Sequence, residues 1–365
     1  MSALLVFPSS MGDALPFIEQ ARNIGVTVVG ASSLTHDPNA SRCDFWLHLP
    51  WVGEPDFVEC LREAVTTHGI DGIFCPNNVV HAVIDTLIGN GTITARLLAL
   101  PFHREIACYD RLDVRAESAL SLAKSILAGG SLPAPVKVAA WLRFTDTIMG
   151  QSGEAKLAAL LGAMASAPQG DVVEIGAYFG KSAAWLTLIA HDLEIGRVLA
   201  IDPWSAAEAV QLDAPTHVQR LSNGDYWETV AQACAVNLLP IARGRFNFLR
   251  MPATQALPCY ESGSVQSSAF GMMDLIGRIA LLHIDGNHDY RSVATDVALW
   301  AQKLAPGGWL ILDDYCWPHG DGPRRVGDAF LADRSKNIAQ AFVVDGALFI
   351  KLADLAVQNG TLLPR

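Results

Sequence analysis

The chain has 365 residues, of which 51% are hydrophobic and 17% are charged. That length is sufficient for two domains with complete hydrophobic cores, and that composition excludes an intrinsically disordered protein. The formal net charge is −11, from 26 basic and 37 acidic residues, and the basic residues form no block. A protein that binds nucleic acid needs a basic face, so we expect a small-molecule partner and no nucleic acid.

The seven cysteines are odd in number, scattered along the chain and free of C-x-x-C spacing. This pattern indicates neither a disulfide framework nor a zinc site, and it fits a reducing, cytoplasmic location. The N-terminal stretch lacks the basic segment of a signal peptide, and no uncharged apolar run reaches membrane-spanning length. We therefore expect a cytoplasmic protein without membrane contacts.

Short apolar strands alternate with helices in the N-terminal third of the chain. The predicted strands cover 3–7, 26–30, 46–49 and 72–75, and the predicted helices cover 14–23 and 55–67. This alternation predicts a small parallel sheet covered on both faces. The segments VTVVGASS, DFWLHLP and HGIDGIFCPNN resemble the Rossmann-like domain that precedes the ATP-grasp fold in carboxylate–amine ligases. No ATP-grasp body follows, so this domain is expected to contact substrate, form oligomers or mediate interactions, or to be a structural appendage.

A mostly helical segment follows, with predicted helices near 116–128, 137–148 and 153–166. Two glycines and two prolines interrupt it at 129–135 and mark a boundary. We predict three parts: an N-terminal α/β domain over 1–112, a helical linker or cover over 113–165, and a second α/β domain over 166–365.

The second domain opens with DVVEIGAYFGKS at 171–182, which predicts a buried strand, a glycine-bearing turn and a helix N-terminus. The turn departs from G-x-G-x-x-G, which favours a ligand without phosphates over a pyrophosphate. The next strand ends at Asp202, where a carboxylate can accept hydrogen bonds from both ribose hydroxyls of an adenosine, or can cap a helix or turn. These residues resemble the S-adenosylmethionine site of class I methyltransferases: Glu174, Gly176, Gly180 and Asp202.

A polar segment at 205–225 is either a lid near the cofactor or a plain surface connection. A helix at 226–239 and a strand at 246–250 follow it. The next two predicted strands end in acidic residues.

IALLHID delivers Asp285, and the strand at 309–312 delivers Asp313 and Asp314. Parallel strands share one carboxyl edge, so we expect three carboxylates to converge there. Like charges in a cleft repel each other, and Mg²⁺, Mn²⁺ or Ca²⁺ would relieve that repulsion. The alternative is that one carboxylate caps a helix and another pairs with a lysine or arginine.

His288 lies three residues after Asp285, in the loop that precedes a predicted helix at 291–303. An imidazole has an ordinary pKa of about 6.5 and accepts a proton at neutral pH, so His288 is the candidate general base. The alternative is a structural histidine. The loop at 315–323 is rich in aromatic and polar groups and lines the acceptor pocket or is an ordinary surface loop.

HIDGNHDY and PGGWLILDDY resemble the metal-dependent methyltransferase family that includes macrolide sugar O-methyltransferases and cephalosporin-hydroxylase-like proteins. The resemblance runs from about 172 to 352. It implies that Asp285, Asp313 and Asp314 hold Mg²⁺ and that His288 removes a proton. It also implies S-adenosylmethionine as cofactor, and assembly into homo-oligomers.

A hairpin is predicted over 338–352, with Asp345 and Gly346 as its turn. A class I methyltransferase sheet has seven strands and needs such a terminal hairpin to supply its antiparallel strand.

The sequence therefore predicts an S-adenosylmethionine- and Mg²⁺-dependent O-methyltransferase that acts on a small hydroxylated acceptor, expected to be a sugar or glycoside. Methylation of nitrogen or carbon stays open. One alternative is an NAD-dependent oxidoreductase, which the missing third glycine and the acidic pair disfavour. Another is a cofactor-binding scaffold or regulator without catalytic activity.

Overall fold

A computed structural model describes residues 3–98, 101–127, 130–212, 214–222 and 224–354. The chain divides after Arg111 into two compact units. The assignment of separate roles to 1–112, 113–165 and 166–365 stays a prediction. Within the described ranges, no helix combines the length and the apolarity that crossing a membrane requires.

The first unit contains a five-stranded, all-parallel sheet with the order β3-β2-β1-β4-β5. Its strands are β1 (Ala3–Val6), β2 (Thr27–Ser32), β3 (Phe45–His48), β4 (Ile70–Phe74) and β5 (Arg96–Leu97). Its helices are α1 (Ala14–Asn23), α2 (Phe57–Thr67) and α3 (Asn78–Gly89). The predicted small parallel sheet is confirmed, whereas α3 and β5 were not predicted. The resemblance of this unit to the domain before ATP-grasp folds stays a prediction.

Both faces of this first sheet are covered by apolar side chains, because successive residues of a strand point to opposite faces. Leu5 packs in one core cluster with Phe57 of α2. Val6 and Val28 pack in the other with Ile18 of α1. Two covered faces explain why the strands are apolar runs without a polar alternation.

Helix α4 (Pro101–Ile126) crosses the boundary between the units. The remaining helices are α5 (Pro135–Asp146), α6 (Glu154–Ala165), α7 (Lys181–Asp192), α8 (Ala206–Ala209), α9 (Thr216–Ser222), α10 (Trp227–Ala242), α11 (Ala253–Glu261), α12 (Tyr290–Trp300) and α13 (Gly322–Asp333). The strands of the second unit are β6 (Asp171–Ile175), β7 (Val198–Ile201), β8 (Phe246–Leu249), β9 (Ser264–Ser267), β10 (Gly271–Asp274), β11 (Ile279–Ile284), β12 (Leu304–Leu312), β13 (Ile338–Val344) and β14 (Ala347–Leu352).

Seven strands of the second unit form one sheet with the order β13-β14-β12-β11-β6-β7-β8. Strand β14 runs antiparallel to β12 and β13, and the other pairings are parallel. This confirms the predicted seven-stranded sheet with a terminal antiparallel hairpin. The small β9–β10 hairpin was not predicted. Helix α11 was not predicted either, and it contains Pro258, a residue type that usually breaks helices.

The strand order reverses between β6 and β11, and ligands of open α/β sheets bind at the carboxyl edge of such a switch point. The strand registers align that edge. Ile284 of β11 pairs with Ile175 of β6 on one side and with Leu312 of β12 on the other. The residues that follow these three strands therefore lie side by side.

Asp296 lies on the buried side of α12 and is 9% exposed. Burial, with repulsion from Asp289 as a smaller cause, raises the pKa of Asp296 to about 7. The folded protein thus holds this proton more tightly than the unfolded chain, so stability is lost as the pH rises from about 4 through about 7. We expect Asp296→Asn, which mimics the neutral acid, to raise the free energy of unfolding by about 1–4 kcal/mol at about pH 8 and by much less at about pH 4.

Denaturant unfolding of the wild type and Asp296→Asn across this pH range measures the effect. Asp333→Asn, an exposed carboxyl at the end of α13, is the matched control and should change stability little at any pH. A gain for Asp296→Asn that is equal at every pH would show that the charge of Asp296 is not its cause.

Candidate active site

The turn between β6 and α7 packs tightly against neighbouring backbone. Gly176 has φ +90°, and a Cβ there would lie 2.1 Å from the carbonyl oxygen of Asp285. Gly180 precedes α7 with φ +87°, and a Cβ there would lie 2.6 Å from the side chain of Leu238. Both positions require glycine because of positive φ and close protein neighbours. Their predicted contact with a cofactor stays a prediction.

Asp202 holds this turn in place from the end of β7. Its Oδ2 accepts hydrogen bonds from the backbone N–H groups of Ala177 at 2.9 Å and Tyr178 at 3.0 Å. Its Oδ1 accepts one from the N–H of Trp204 at 2.7 Å. Burial raises the pKa of Asp202, and these N–H groups oppose the shift. A carboxylate has about four lone-pair positions, so about one is left for a further donor.

Glu174 and His283 form a buried pair across β6 and β11, and both are 0% exposed. Oε1 of Glu174 lies 2.9 Å from Nδ1 of His283. Burial opposes a charge on the imidazole, but the hydrogen bond to Glu174 prevails and raises the pKa of His283. Oε2 of Glu174 and Nε2 of His283 have no hydrogen-bond partner among the described residues. Glu174 therefore binds a side chain of β11 within the sheet. Its predicted contact with a cofactor stays a prediction.

Asp285, Asp313 and Asp314 lie at the shared carboxyl edge, as the strand order requires. Lys156 of α6 reaches two of them: its Nζ lies 3.2 Å from Oδ2 of Asp285 and also bonds Oδ2 of Asp313. Lys156 is 3% exposed. Two of the three carboxylates are thus paired with a lysine, which was the predicted alternative to a metal site.

His288 lies between acidic, amide and aromatic groups. Its Nε2 is 3.0 Å from Oδ2 of Asp314 and 4.0 Å from Oδ1 of Asp285. Its Nδ1 is 3.3 Å from Nε2 of Gln211, whose buried Oε1 has no hydrogen-bond partner within the described part of the chain. The ring of Trp317 meets the imidazole edge-on, with 5.0 Å between centroids. The loop at 315–323 therefore borders His288.

The polar segment at 205–225 also borders this edge. It contains α8 and α9, and Asn287 donates hydrogen bonds to the carbonyl oxygens of Glu208 at 3.0 Å and Val210 at 2.8 Å. Together with Gln211, these bonds tie the segment to the loop that carries His288. The choice between a lid and a plain surface connection stays open.

Among the described residues, groups that can ligate a metal fall into two overlapping sets, each with its atoms within 4.8 Å of one another. One set is His283, Asp285 and Asp313, and the other is Asp285, His288 and Asp314. Asp285 belongs to both, whereas Asp313 and Asp314 face different neighbours. Asp314 has φ +51°, which marks the turn of the backbone between them.

The charged groups at this edge shift one another's pKa values. Burial alone would lower the pKa of Lys156, but the attraction of Asp285 and Asp313 prevails and raises it. Burial would raise the pKa of Asp285, but Lys156, His288 and His283 hold it well below its usual range. Burial and repulsion from Asp285 raise the pKa of Asp313. Burial opposes a charge on His288, but Asp285 and Asp314 prevail and raise its pKa.

Three residues of this site were not predicted from the sequence: Lys156, His283 and Gln211. Lys156 had a readable signal, because it is a charged residue that directly precedes the apolar stretch LAALLGAMA in the same helix. His283 interrupts the apolar strand β11 in the same way. Gln211 had none, since a glutamine in a polar segment is ordinary.

A family profile described as a methyltransferase domain matches residues 173–315. No curated protein matches the sequence significantly. Three of the similar solved structures are O-methyltransferase NovP, TDP-rhamnose 3'-O-methyltransferase CalS11, and MycE in complex with Mg, SAH and mycinamycin VI.

NovP is 17% identical, with a TM-score of 0.41 over 55% of this chain and 81% of its own. CalS11 is 14% identical, with a TM-score of 0.38 over 65% of this chain and 94% of its own. MycE is 16% identical, with a TM-score of 0.31 over 54% of this chain and 47% of its own. Similarity at this level assigns neither a substrate nor a metal. Residues 173–315 thus match a methyltransferase domain, and they lie in the unit whose seven-stranded sheet has the terminal antiparallel hairpin predicted for a class I methyltransferase.

Proposed function

We propose that this protein transfers the methyl group of S-adenosylmethionine to a hydroxyl group of a small acceptor, with a sugar or glycoside as the expected class. The observation that carries the proposal is His288. Its imidazole lies at the ligand-binding edge of a methyltransferase sheet, beside Asp285 and Asp314 and against the ring of Trp317. The family match gives no support to an NAD-dependent oxidoreductase.

The residues proposed to bind the cofactor are Glu174, Gly176, Gly180 and Asp202. S-adenosylmethionine, when bound, supplies a methyl group on a positively charged sulfur. Two features fit such a ligand: the described residues leave Asp202 about one lone pair for a ribose hydroxyl, and they offer no hydrogen-bond partner to the buried Oε2 of Glu174. Asp202 also sets the backbone of the turn, so it would position the cofactor as well as contact it.

His288 is the proposed general base. Nδ1 of His288 faces the amide of Gln211, whose Oε1 has no hydrogen-bond partner among the described residues, and rotation of that amide would turn Oε1 toward a proton taken up at Nδ1. Asp314 and Asp285 would stabilise the imidazolium that results. An uncharged imidazole that gains a proton beside two carboxylates is the arrangement that base catalysis of hydroxyl attack requires.

Asp285, Asp313 and Asp314 were predicted to hold Mg²⁺, or Mn²⁺ or Ca²⁺, and of these three Asp285 and Asp314 are proposed to hold the ion. A divalent cation, when bound, lowers the pKa of an acceptor hydroxyl. The carboxylate donors fit a hard cation. The fit is closest around Asp285 and Asp314, since Oδ2 of Asp313 is bonded to Lys156.

The acceptor is proposed to bind on the side of Trp317. His319 packs against Trp317 with 5.4 Å between centroids, and His217 packs against His319 at 5.4 Å. Aromatic rings suit the apolar faces of sugar rings, and the imidazoles offer hydrogen bonds to hydroxyl groups. These three rings would therefore select a small polar acceptor with an apolar face.

Calorimetric titration of the whole chain with S-adenosylmethionine, S-adenosylhomocysteine and NAD⁺ tests the cofactor. We expect micromolar binding of the first two and none of NAD⁺. A screen of sugars and glycosides, with and without Mg²⁺, then tests methyl transfer by mass spectrometry. Cofactor binding without transfer to any hydroxylated acceptor would favour the scaffold or regulator, and binding of NAD⁺ alone would contradict the proposal.

A further inference from the structure

We propose that Lys156 is the resident cation of the Asp285–Asp313 pair and that its ammonium group competes with a divalent ion for this site. The inference rests on the proposed function, because it concerns the same acidic edge. It predicts that the protein binds Mg²⁺ weakly and that removal of Lys156 creates a stronger site. Lys156 is a positioning residue in this scheme, since it acts through the two carboxylates.

The geometry places one ammonium group between two carboxylates from different strands. Asp285 follows β11 and Asp313 follows β12, and Nζ of Lys156 contacts Oδ2 of each. A divalent ion held by Asp285 and Asp313 would also bind their carboxylate oxygens, which are the ligands that hard cations prefer. The ammonium and the ion therefore require the same oxygen atoms.

The charges at the edge are already close to balanced without a metal. Asp285, Asp313 and Asp314 bring three negative charges at most, while Lys156 contributes one positive charge and His288 a second when it is protonated. A divalent ion would add two more. It would then meet the three carboxylates beside the ammonium of Lys156, and beside the imidazolium as well when His288 is protonated, which is an unfavourable balance compared with an all-carboxylate site.

Lys156 cannot easily move aside to admit an ion. Every residue of α6 from Lys156 to Met164 is buried, including the neighbours Leu157, Leu160 and Leu161. An ammonium group displaced from the carboxylates would lie among these apolar side chains without a partner, which is strongly unfavourable. The ammonium is therefore a fixed part of the site.

An ion that binds while Lys156 stays in place is left with the other set of ligands. That set contains Asp285, Asp314 and the imidazole of His288. Two carboxylates and one nitrogen, beside a fixed positive charge, suit Mg²⁺ less well than three carboxylates do. Weak binding follows from the chemistry of the donors and from the charge.

The test compares Mg²⁺ and Mn²⁺ binding to the whole chain by calorimetry in the wild type, in Lys156→Met and in the double variant Lys156→Met/Asp313→Asn. Methionine keeps much of the length and the apolar stem of lysine and removes the charge. We expect Lys156→Met to bind both ions about tenfold or more tightly than the wild type does. The double variant loses one carboxylate together with the ammonium and should bind them no better than the wild type.

If Lys156→Met folds poorly, thermal unfolding with and without Mg²⁺ still measures whether the ion stabilises it. Under the proposal, Mg²⁺ raises the melting temperature of Lys156→Met much more than that of the wild type, because the ion replaces the missing charge. Equal or weaker metal binding by Lys156→Met would overturn the proposal. So would tight binding by the double variant, or a Lys156→Met protein that stays unfolded in Mg²⁺.

Binding of S-adenosylhomocysteine to the wild type, measured in parallel, separates this inference from the proposed function. A wild type that does not bind it would contradict the proposed function, while the comparison of metal binding among the variants would keep its meaning.

Discussion

Asp202→Ala is expected to weaken binding of S-adenosylmethionine by a factor of about 100 or more. The side chain accepts two hydrogen bonds from backbone N–H groups of the turn after β6 and a third from the N–H of Trp204. Each bond to a buried carboxylate contributes about 1.5–3 kcal/mol, and 1.4 kcal/mol corresponds to about tenfold in affinity. Loss of the turn geometry together with the proposed ribose contact therefore accounts for a factor of this size. Calorimetric titration with S-adenosylhomocysteine measures it.

Asp202→Asn is the graded variant. An amide keeps one acceptor oxygen but sets an NH₂ group against at least one backbone N–H, so we expect an intermediate loss of about tenfold. Asp333→Ala, which removes an exposed carboxylate at the end of α13, is the control and should bind as the wild type does. Circular dichroism confirms that each variant is folded. Unchanged affinity in a folded Asp202→Ala protein would exclude Asp202 from the cofactor site.

His288→Ala is expected to lower kcat for methyl transfer by about 10²–10⁴-fold, which is the usual contribution of a general base. Affinity for S-adenosylmethionine should change little, because His288 contacts the acidic edge, Gln211 and Trp317 and not the glycine turn. Single-turnover transfer to an acceptor found in the screen separates the chemical step from binding. Added imidazole should restore part of the rate in His288→Ala, since it can take the proton in place of the side chain.

His319→Ala is the matched control for the loss of an imidazole from the same edge. His319 is exposed and packs on Trp317, so its removal should change KM for the acceptor more than kcat. A His288→Ala protein that transfers methyl groups at the wild-type rate would remove His288 from the proton transfer. Asp285 and Asp314, the carboxylates beside His288, would then be the candidates to accept the proton.

Local sequence patterns predicted the sheet and its carboxyl edge because each pattern lies within one strand and the turn after it. The stretch at 171–182 folds as the expected strand, turn and helix, and Asp285, Asp313 and Asp314 follow β11 and β12 as expected. The apolar run of a buried strand and the polar residue that ends it are adjacent in sequence. Strand order then brings distant edges together by a general rule.

The partners of those carboxylates could not be predicted in the same way. Lys156 is 129 residues from Asp285 and 157 from Asp313, and no sequence period connects a helix to the ends of two strands. The sequence allowed either a metal or a pairing lysine without deciding between them. Gly176 was predicted only as a cofactor residue, and nothing in the sequence indicated that the carbonyl of Asp285 already excludes any side chain there.

The short path from Asp202 to Gln211 has a consequence for how such a protein can change over evolutionary time. Asp202 binds the N–H of Trp204, Asn287 holds the carbonyl groups of Glu208 and Val210, and the amide of Gln211 meets His288. Fewer than a dozen consecutive residues thus connect Asp202, the proposed cofactor residue, to Gln211, which meets the proposed base His288. A substitution that adapts this segment to a new acceptor would therefore also change the surroundings of Asp202 and the proposed cofactor site. We therefore expect drift in acceptor preference to be confined to the Trp317 loop, where it leaves that connection intact.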